Sequence, residues 1–132
     1  MNANTANAAA LVGRILLASI FVISGFGKIT GYEGTAQYMA TKLPMVAVLL
    51  PLTILVELGG GLALAVGFKA RWAGLALAIF TLLAGFLFHD YWNADAAHRM
   101  GQQINFMKNI SIAGGMLMAF AFGPGAWSVD KK

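Results

Sequence analysis

Residues Val46 to Phe68 read VAVLLPLTILVELGGGLALAVGF, an apolar stretch with one charged residue, Glu57, at its middle. A transmembrane helix needs about 20 mostly apolar residues, so this stretch is long enough to cross a bilayer and places Glu57 near the midplane. An ionised carboxylate at that depth is costly unless it is paired or hydrated, and such residues usually face a bundle interior and mark function. Glu57 is therefore the first candidate functional residue.

The composition of the whole chain agrees with a membrane protein. Hydrophobic residues make up 59% and charged residues 11% of the 132 residues, whereas soluble domains carry roughly 25% charged residues. The net charge of +4 does not indicate a nucleic-acid partner, because the basic residues are scattered and form no stripe interleaved with aromatic residues. Cysteine is absent, so the chain itself performs no thiol redox chemistry.

The hydrophobic pattern predicts an all-α fold, a four-transmembrane-helix bundle in a single domain. We expect its helices at about residues 8–29, 46–68, 72–89 and 103–122. A short interfacial helix is expected at about residues 35–42, and residues 126–132 are expected to leave the bilayer after the GPG sequence that ends the last helix. A cleavable signal peptide is the less favoured interpretation of the first stretch, because the first ten residues contain no Lys or Arg.

Further polar residues interrupt the other predicted helices. Arg14 and Lys28 lie on one face of the first helix, where they either join a buried polar site or extend to the two interfaces as anchors. With alternating helix directions, most polar residues of the spans fall toward the end of the bundle opposite the chain termini, beyond Glu57 at mid-depth. We therefore predict a polar site inside the bundle, with Glu57 and His89 as catalytic residues and Arg14, Lys28, Lys108 and Asn109 as cofactor-binding residues.

A metal site is not expected. His89, Asp90, Asp95 and His98 are residues of metal-ligating types, but their spacing matches no motif of known coordination geometry.

The basic residues near the ends of the spans predict the orientation. Five Lys or Arg residues lie on the side of the N-terminus and four on the other side, and the compact turn with Lys69 and Arg71 weighs most because it lies outside the apolar stretches. Both termini are therefore predicted to be cytoplasmic, in a multi-pass protein surrounded by membrane lipid.

Several motifs together resemble the DoxX family. They are R..L...F..SGFGK in the first helix, TGYEGTAQYM…LP after it, E.GGG.AL..GF.AR in the second helix, the histidine that ends the third, and the terminal GPG..S.D. The resemblance covers nearly the whole chain and implies a four-helix bundle in the bacterial cytoplasmic membrane. Residues that match the family's pattern are Arg14, Lys28, Glu57, His89, Lys108 and Asp130.

The resemblance also implies a function. Relatives include the membrane component of thiosulfate:quinone oxidoreductase, and others accompany enzymes that oxidise thiols, superoxide or catechols, so a quinone-linked membrane subunit is implied. Quinone reduction consumes two electrons and two protons, which suits hydrogen-bond donors at Lys28, Lys108 or Asn109 and titratable groups at Glu57 and His89. Since the chain has no redox cofactor motif, its electrons would come from a redox partner protein or a bound substrate.

A second function of another class remains open. If Glu57 pairs with Arg14 or Lys28 only to fix the helix register, the bundle is a non-catalytic protein that binds lipid or anchors a partner. A transporter is a third, weaker alternative, and because the chain has no evident inverted repeats it would require a homo-oligomer.

Overall fold

The structure is a computed structural model that describes all 132 residues. It contains helices and no strands, which confirms the predicted all-α class. The five helices are α1 (Ala3–Thr30), α2 (Tyr32–Ala40), α3 (Val46–Val66), α4 (Ala70–Phe88) and α5 (Ala96–Phe122). Three of them, α1, α3 and α4, are long and apolar enough to cross a membrane.

The two longest helices, α1 and α5, begin earlier than the sequence predicts because each has a capping side chain. The Asn2 side chain accepts a hydrogen bond from the Thr5 N–H at 2.8 Å, and that of Asp95 accepts one from the His98 N–H at 3.0 Å. These caps satisfy N–H groups that have no partner within the helix. The polar first turns are therefore helical, although an apolar pattern does not extend into them.

The helix α3 changes its hydrogen-bond register in the middle. Residues Val46–Ile54 are α-helical, Leu55–Gly59 form a π-helical turn, and Gly60–Val66 are α-helical again. Glu57 lies at the centre of the π turn. Such turns are rare and occur frequently at functional sites. The apolar pattern predicts the length of α3 but carries no signal for this change of register.

Neighbouring helices run antiparallel, in the order α1, α3, α4, α5. Gly25 faces Leu58 while Gly61 faces Phe21 and Val22, an order that requires α1 and α3 to point in opposite directions. Both chain termini lie at one end of the bundle, where the Ala126 N–H donates to the Asn7 side chain at 3.4 Å. We call this the terminal end and the opposite one the distal end.

Two glycines allow the closest approaches between helices. A Cβ atom on Gly25 would lie 2.9 Å from the backbone nitrogen of Leu58, and one on Gly74 would lie 2.9 Å from the carbonyl oxygen of Met116. Small residues at such crossings let two backbones approach in a membrane bundle. The crossings of α1 with α3 and of α4 with α5 therefore depend on these two positions.

The bundle core is apolar apart from three side chains. Four large side chains at its centre are essentially inaccessible, namely Leu50, Leu64, Leu77 and Met116. Many other large apolar side chains face outward along every long helix, as expected where the surroundings are hydrocarbon rather than water. The buried polar side chains are Arg14, Glu57 and Thr81.

Candidate functional site

Glu57 points into the bundle and pairs with Lys28 of α1. The Nζ atom of Lys28 lies 2.6 Å from Oε1 of Glu57. Glu57 is only 4% exposed, whereas the Lys28 side chain is 27% exposed. The contact is an ion pair and not a hydrogen bond of regular geometry, because Oε1 of Glu57 has no hydrogen-bond partner. The sequence left Arg14 and Lys28 as alternative partners, and the structure selects Lys28.

The close approach of α1 and α3 positions this ion pair. Gly25 lies against Leu58, next to Glu57 in the π turn. Lys28 follows Gly25 by three residues and so lies on the same face of α1. A larger residue at position 25 would separate the two backbones and move the ammonium group away from the carboxylate.

A cavity of about 860 Å³ lies beside the ion pair in the distal half of the bundle. Its volume lies within the range of roughly 300–1,000 Å³ that is common for small-molecule sites. Most of its wall is apolar, with side chains such as Phe21, Phe80 and Leu87. The polar side chains that line it include Lys28, Thr53, Glu57, Thr81, His89 and Asn109.

His89 is fixed at the distal rim of the cavity by a neighbouring amide. Its Nδ1 lies 2.8 Å from Oε1 of Gln102, whose Nε2 donates to the Phe88 carbonyl at 3.2 Å. Because an amide oxygen can only accept, this contact places the proton of the neutral imidazole on Nδ1. Nε2 is then the nitrogen that remains available for proton exchange.

The helix α2 covers the distal side of the cavity. Tyr38 and Met39 line the cavity, and the Tyr38 ring packs against that of Phe88 with the centroids 5.6 Å apart. Lys42, just after α2, pairs with Asp90 beyond α4 at 3.0 and 3.2 Å. These contacts hold α2 as a lid on the end of α4.

The cavity continues sideways into a groove between α1 and α5. These two helices touch where Leu17 faces Gly115, and the groove lies on the distal side of this contact. The groove has a volume of about 710 Å³ and shares Ile20 and Ile112 with the cavity. Lys108 lines the groove but not the cavity, and Asn109 lines both. The site thus opens toward the outer face of the bundle.

Arg14 does not join this site but lies buried at the terminal end. It is 4% exposed, and its Nη2 donates to the carbonyl oxygen of Trp127 at 2.7 Å. Its Nη1 occupies the space that a Cβ atom on Gly67 would need, at the turn between α3 and α4. The separation of Arg14 from Lys28 along α1 leaves only Lys28 near Glu57.

Residues 126–132, which we call the C-terminal latch, fold back onto this turn. The N–H groups of Val129 and Asp130 donate to the carbonyl oxygens of Val66 and Gly67 at 3.0 and 2.9 Å. The Asp130 carboxylate accepts the backbone N–H groups of Lys69 and Ala70, both at 2.9 Å. The sequence predicts that this segment leaves the bilayer, and the structure adds that it docks on the turn between α3 and α4 at the terminal end.

The metal-ligating residue types do not gather into a site. Asp95 and His98 contact each other at 2.7 Å at the start of α5, and Asp90 pairs with Lys42 instead. No three His, Cys, Asp or Glu side chains come together.

A family model for DoxX matches residues 9–90 of the chain. The chain belongs to the DoxX family. An Escherichia coli relative, inner membrane protein YqjF, is 48% identical over 122 residues, which cover 92% of this chain and 88% of the relative. Inner membrane protein YphA of the same organism is 35% identical over 125 residues, with the same coverage. Together with the three apolar helices, these relatives indicate a multi-pass inner membrane protein.

A shorter match extends to eukaryotes. The Surfeit locus protein 4 homolog of Schizosaccharomyces pombe is 32% identical over 69 residues, which cover 51% of this chain and 23% of that protein. No solved structure matches the chain.

The six residues that the sequence suggests as DoxX positions lie at three places in the structure, with Lys108 alone in the groove. Lys28, Glu57 and His89 line the cavity, whereas Arg14 and Asp130 hold the C-terminal latch. Sequence patterns alone do not separate these two groups, because each combines a charged residue within an apolar helix with a polar residue beyond a helix end. Arg14 and Asp130 thus have a structural role that requires no ligand, and Asp130 lies outside residues 9–90, which the DoxX model matches.

The latch predicts a dependence of stability on pH. The N–H groups of Ala70 and Lys69 hold the pKa of the Asp130 carboxyl below its usual range. The resulting stabilisation is present above the unfolded-state pKa of about 3.9 and is lost as the pH falls through the lower folded-state pKa. Asp130→Asn should therefore lower the melting temperature at neutral pH, and the difference from wild type should disappear in acid. Thermal unfolding in detergent between about pH 7 and pH 3 tests this, and a constant difference would contradict it.

Proposed function

We propose that this DoxX protein is the membrane subunit of a quinone-linked oxidoreductase and that its cavity binds a quinone headgroup. The observation that carries the proposal is the ion pair of Lys28 and Glu57 at the wall of a largely apolar cavity of about 860 Å³. A planar ring with carbonyl oxygens requires apolar walls together with a few hydrogen-bond donors, which is the combination found here.

The residues present fit such a ligand. Lys28 carries three ammonium hydrogens, and one contact with Glu57 leaves others for a carbonyl oxygen. Asn109 uses one amide hydrogen on the Thr81 carbonyl at 3.1 Å and keeps the second. Phe21 and Phe80 supply apolar surface for the ring. A bound quinone supplies an acceptor for two electrons and two protons, and the electrons come from a redox partner protein or a bound substrate because this chain has no redox motif.

Proton supply falls to two residues of the cavity. The Glu57 carboxylate balances the charge of Lys28 and can hold a proton beside the ligand. His89 lies at the distal rim, where its Nε2 can exchange protons with the aqueous phase. Charge developing on a ligand oxygen would be stabilised by the ammonium group of Lys28 in surroundings of low dielectric constant.

The membrane arrangement is part of the proposal. We place α5 across the bilayer as the fourth crossing, since it packs along α4 even though its first half is polar. Both termini then lie in the cytoplasm and the distal end faces the periplasm, in agreement with the compact basic turn of Lys69 and Arg71. The groove between α1 and α5 opens to lipid, so that the hydrocarbon chain of a quinone can remain in the bilayer.

A non-catalytic lipid-binding protein is the second candidate. The observation that favours it is that Glu57 already has a charge partner, so that the ion pair is able to act as a structural link without any ligand. The same groove and cavity would then hold a phospholipid chain.

Glu57→Gln separates the two candidates. If the cavity binds quinone, the variant should assemble with near-normal thermal stability, because Lys28 is partly exposed, while its affinity for decylubiquinone falls about tenfold or more. Binding is measured in nanodiscs made without quinone, and mass spectrometry of lipid extracts shows which lipid co-purifies with the wild type. Glu33→Gln is the matched control, since Glu33 is exposed on α2. Unchanged affinity in Glu57→Gln, or loss of stability alone, would favour the second candidate.

A further inference from the structure

Thr81 of α4 has a buried hydroxyl that the fold does not use. The residue is 3% exposed, and its Oγ1 has no hydrogen-bond partner although the side chain lines the cavity. Buried polar atoms in folded proteins almost always have a partner, so each exception calls for an explanation. An unpartnered hydroxyl in a cavity wall is an atom that a ligand can satisfy.

Other hydroxyls in the helices of this chain show the usual alternative. Thr30 bonds to the carbonyl oxygen of Gly27 at 3.1 Å, Thr35 to that of Gly31 at 2.9 Å, and Ser111 to that of Met107 at 3.0 Å. This local bond to the preceding turn is the common arrangement for a helical Ser or Thr. Thr81 does not adopt it, so its buried hydroxyl is left without a partner in a residue of the cavity wall.

Thr81 lies on α4 at the same depth in the bundle as the ion pair formed by α1 and α3. Gly60 of α3 packs against Leu77 of α4. Because these helices are antiparallel, one turn further toward the distal end brings Thr81 to the depth of Glu57. The Thr81 carbonyl is already held by Asn109, which fixes this turn of α4 against α5. The cavity therefore has polar groups on the α1–α3 side and on the α4 side.

We propose that the Thr81 hydroxyl is a binding residue that donates a hydrogen bond to an oxygen atom of the ligand. This rests on the proposed function and extends it: the ligand is a mostly apolar molecule with two separate oxygen substituents, one directed to Lys28 and one to Thr81. The two carbonyl oxygens on opposite edges of a quinone ring meet that requirement. The hydrocarbon chain of a phospholipid, which carries no oxygen, does not.

Thr81→Val tests the assignment because it should have two effects of opposite sign. Valine has nearly the shape of threonine without the hydroxyl, so the ligand-free protein should melt about 2–4 °C higher once a buried unsatisfied group is removed. The affinity for decylubiquinone in quinone-free nanodiscs should fall about fivefold to tenfold. Thr81→Ser keeps the hydroxyl and should keep the affinity. Thr30→Val is the control, because that hydroxyl bonds locally outside the cavity.

The outcomes separate this assignment from the function on which it rests. A lower melting temperature in Thr81→Val, or wild-type affinity, would overturn the role of Thr81. If the wild type binds decylubiquinone and only Glu57→Gln loses affinity, the proposed function stands and the assignment of Thr81 is wrong. If the wild type binds no decylubiquinone, the quinone function is wrong and the assignment falls with it.

Discussion

Replacing Lys28 with methionine should lower the free energy of unfolding by about 3–5 kcal/mol, the largest effect that we expect from a single substitution. The variant leaves the Glu57 carboxylate, which is 4% exposed, without its counter-charge inside an apolar bundle. Breaking a buried pair costs more than the pair contributes, because one charge stays behind without compensation. Thermal unfolding in detergent, together with the yield of folded protein, measures the loss.

Two further variants show whether the loss comes from the unpaired carboxylate. The double variant Lys28→Met, Glu57→Gln removes both charges and should recover most of the lost stability. Lys42→Met breaks the partly exposed pair with Asp90 and should change the free energy by only about 0–1 kcal/mol. If Lys28→Met is as stable as the wild type, or if the double variant recovers nothing, the ion pair does not offset the burial of Glu57.

Gly67→Ala should have the second largest effect, a loss of about 2–4 kcal/mol of stability. Gly67 has a φ of 76°, a left-handed conformation that glycine adopts without strain and alanine does not. An added Cβ would also collide with the Ser128 side chain of the C-terminal latch and with the guanidinium group of Arg14. The substitution therefore strains the turn and displaces the latch, which thermal unfolding detects.

The matched control is Gly27→Ala, in a helical position with open space around the added methyl group. It should leave stability unchanged or raise it by about 0.5–1 kcal/mol. A chain that ends at Gly125 lacks the latch. In that chain Gly67→Ala should lower the free energy of unfolding by less than it does in the full chain. Equal losses in the two chains would show that the latch does not contact Gly67 in the way described.

The DoxX resemblance, the all-α class and the burial of Glu57 follow from the sequence by itself. The bilayer fixes the length of an apolar helix, and a single carboxylate in such a helix has to face the protein interior, so a local pattern is sufficient for the fold class and for the burial of Glu57. The hydrophobic pattern does not predict the capped first turns of α1 and α5, because these turns are polar and lie outside the apolar stretches.

Only the tertiary structure decided which cation meets Glu57 and which polar groups share its cavity. Arg14 and Lys28 lie on the same face of α1, and nothing in their spacing distinguishes them. The contact of Gly25 with Leu58 sets the height of α1 against α3, which brings Lys28 to the carboxylate and leaves Arg14 to the latch. Thr81 was not singled out because a threonine in an apolar helix normally bonds to its own backbone. Contacts between helices depend on their rotation and height, and these are set by packing along the whole bundle rather than by any local run of residues.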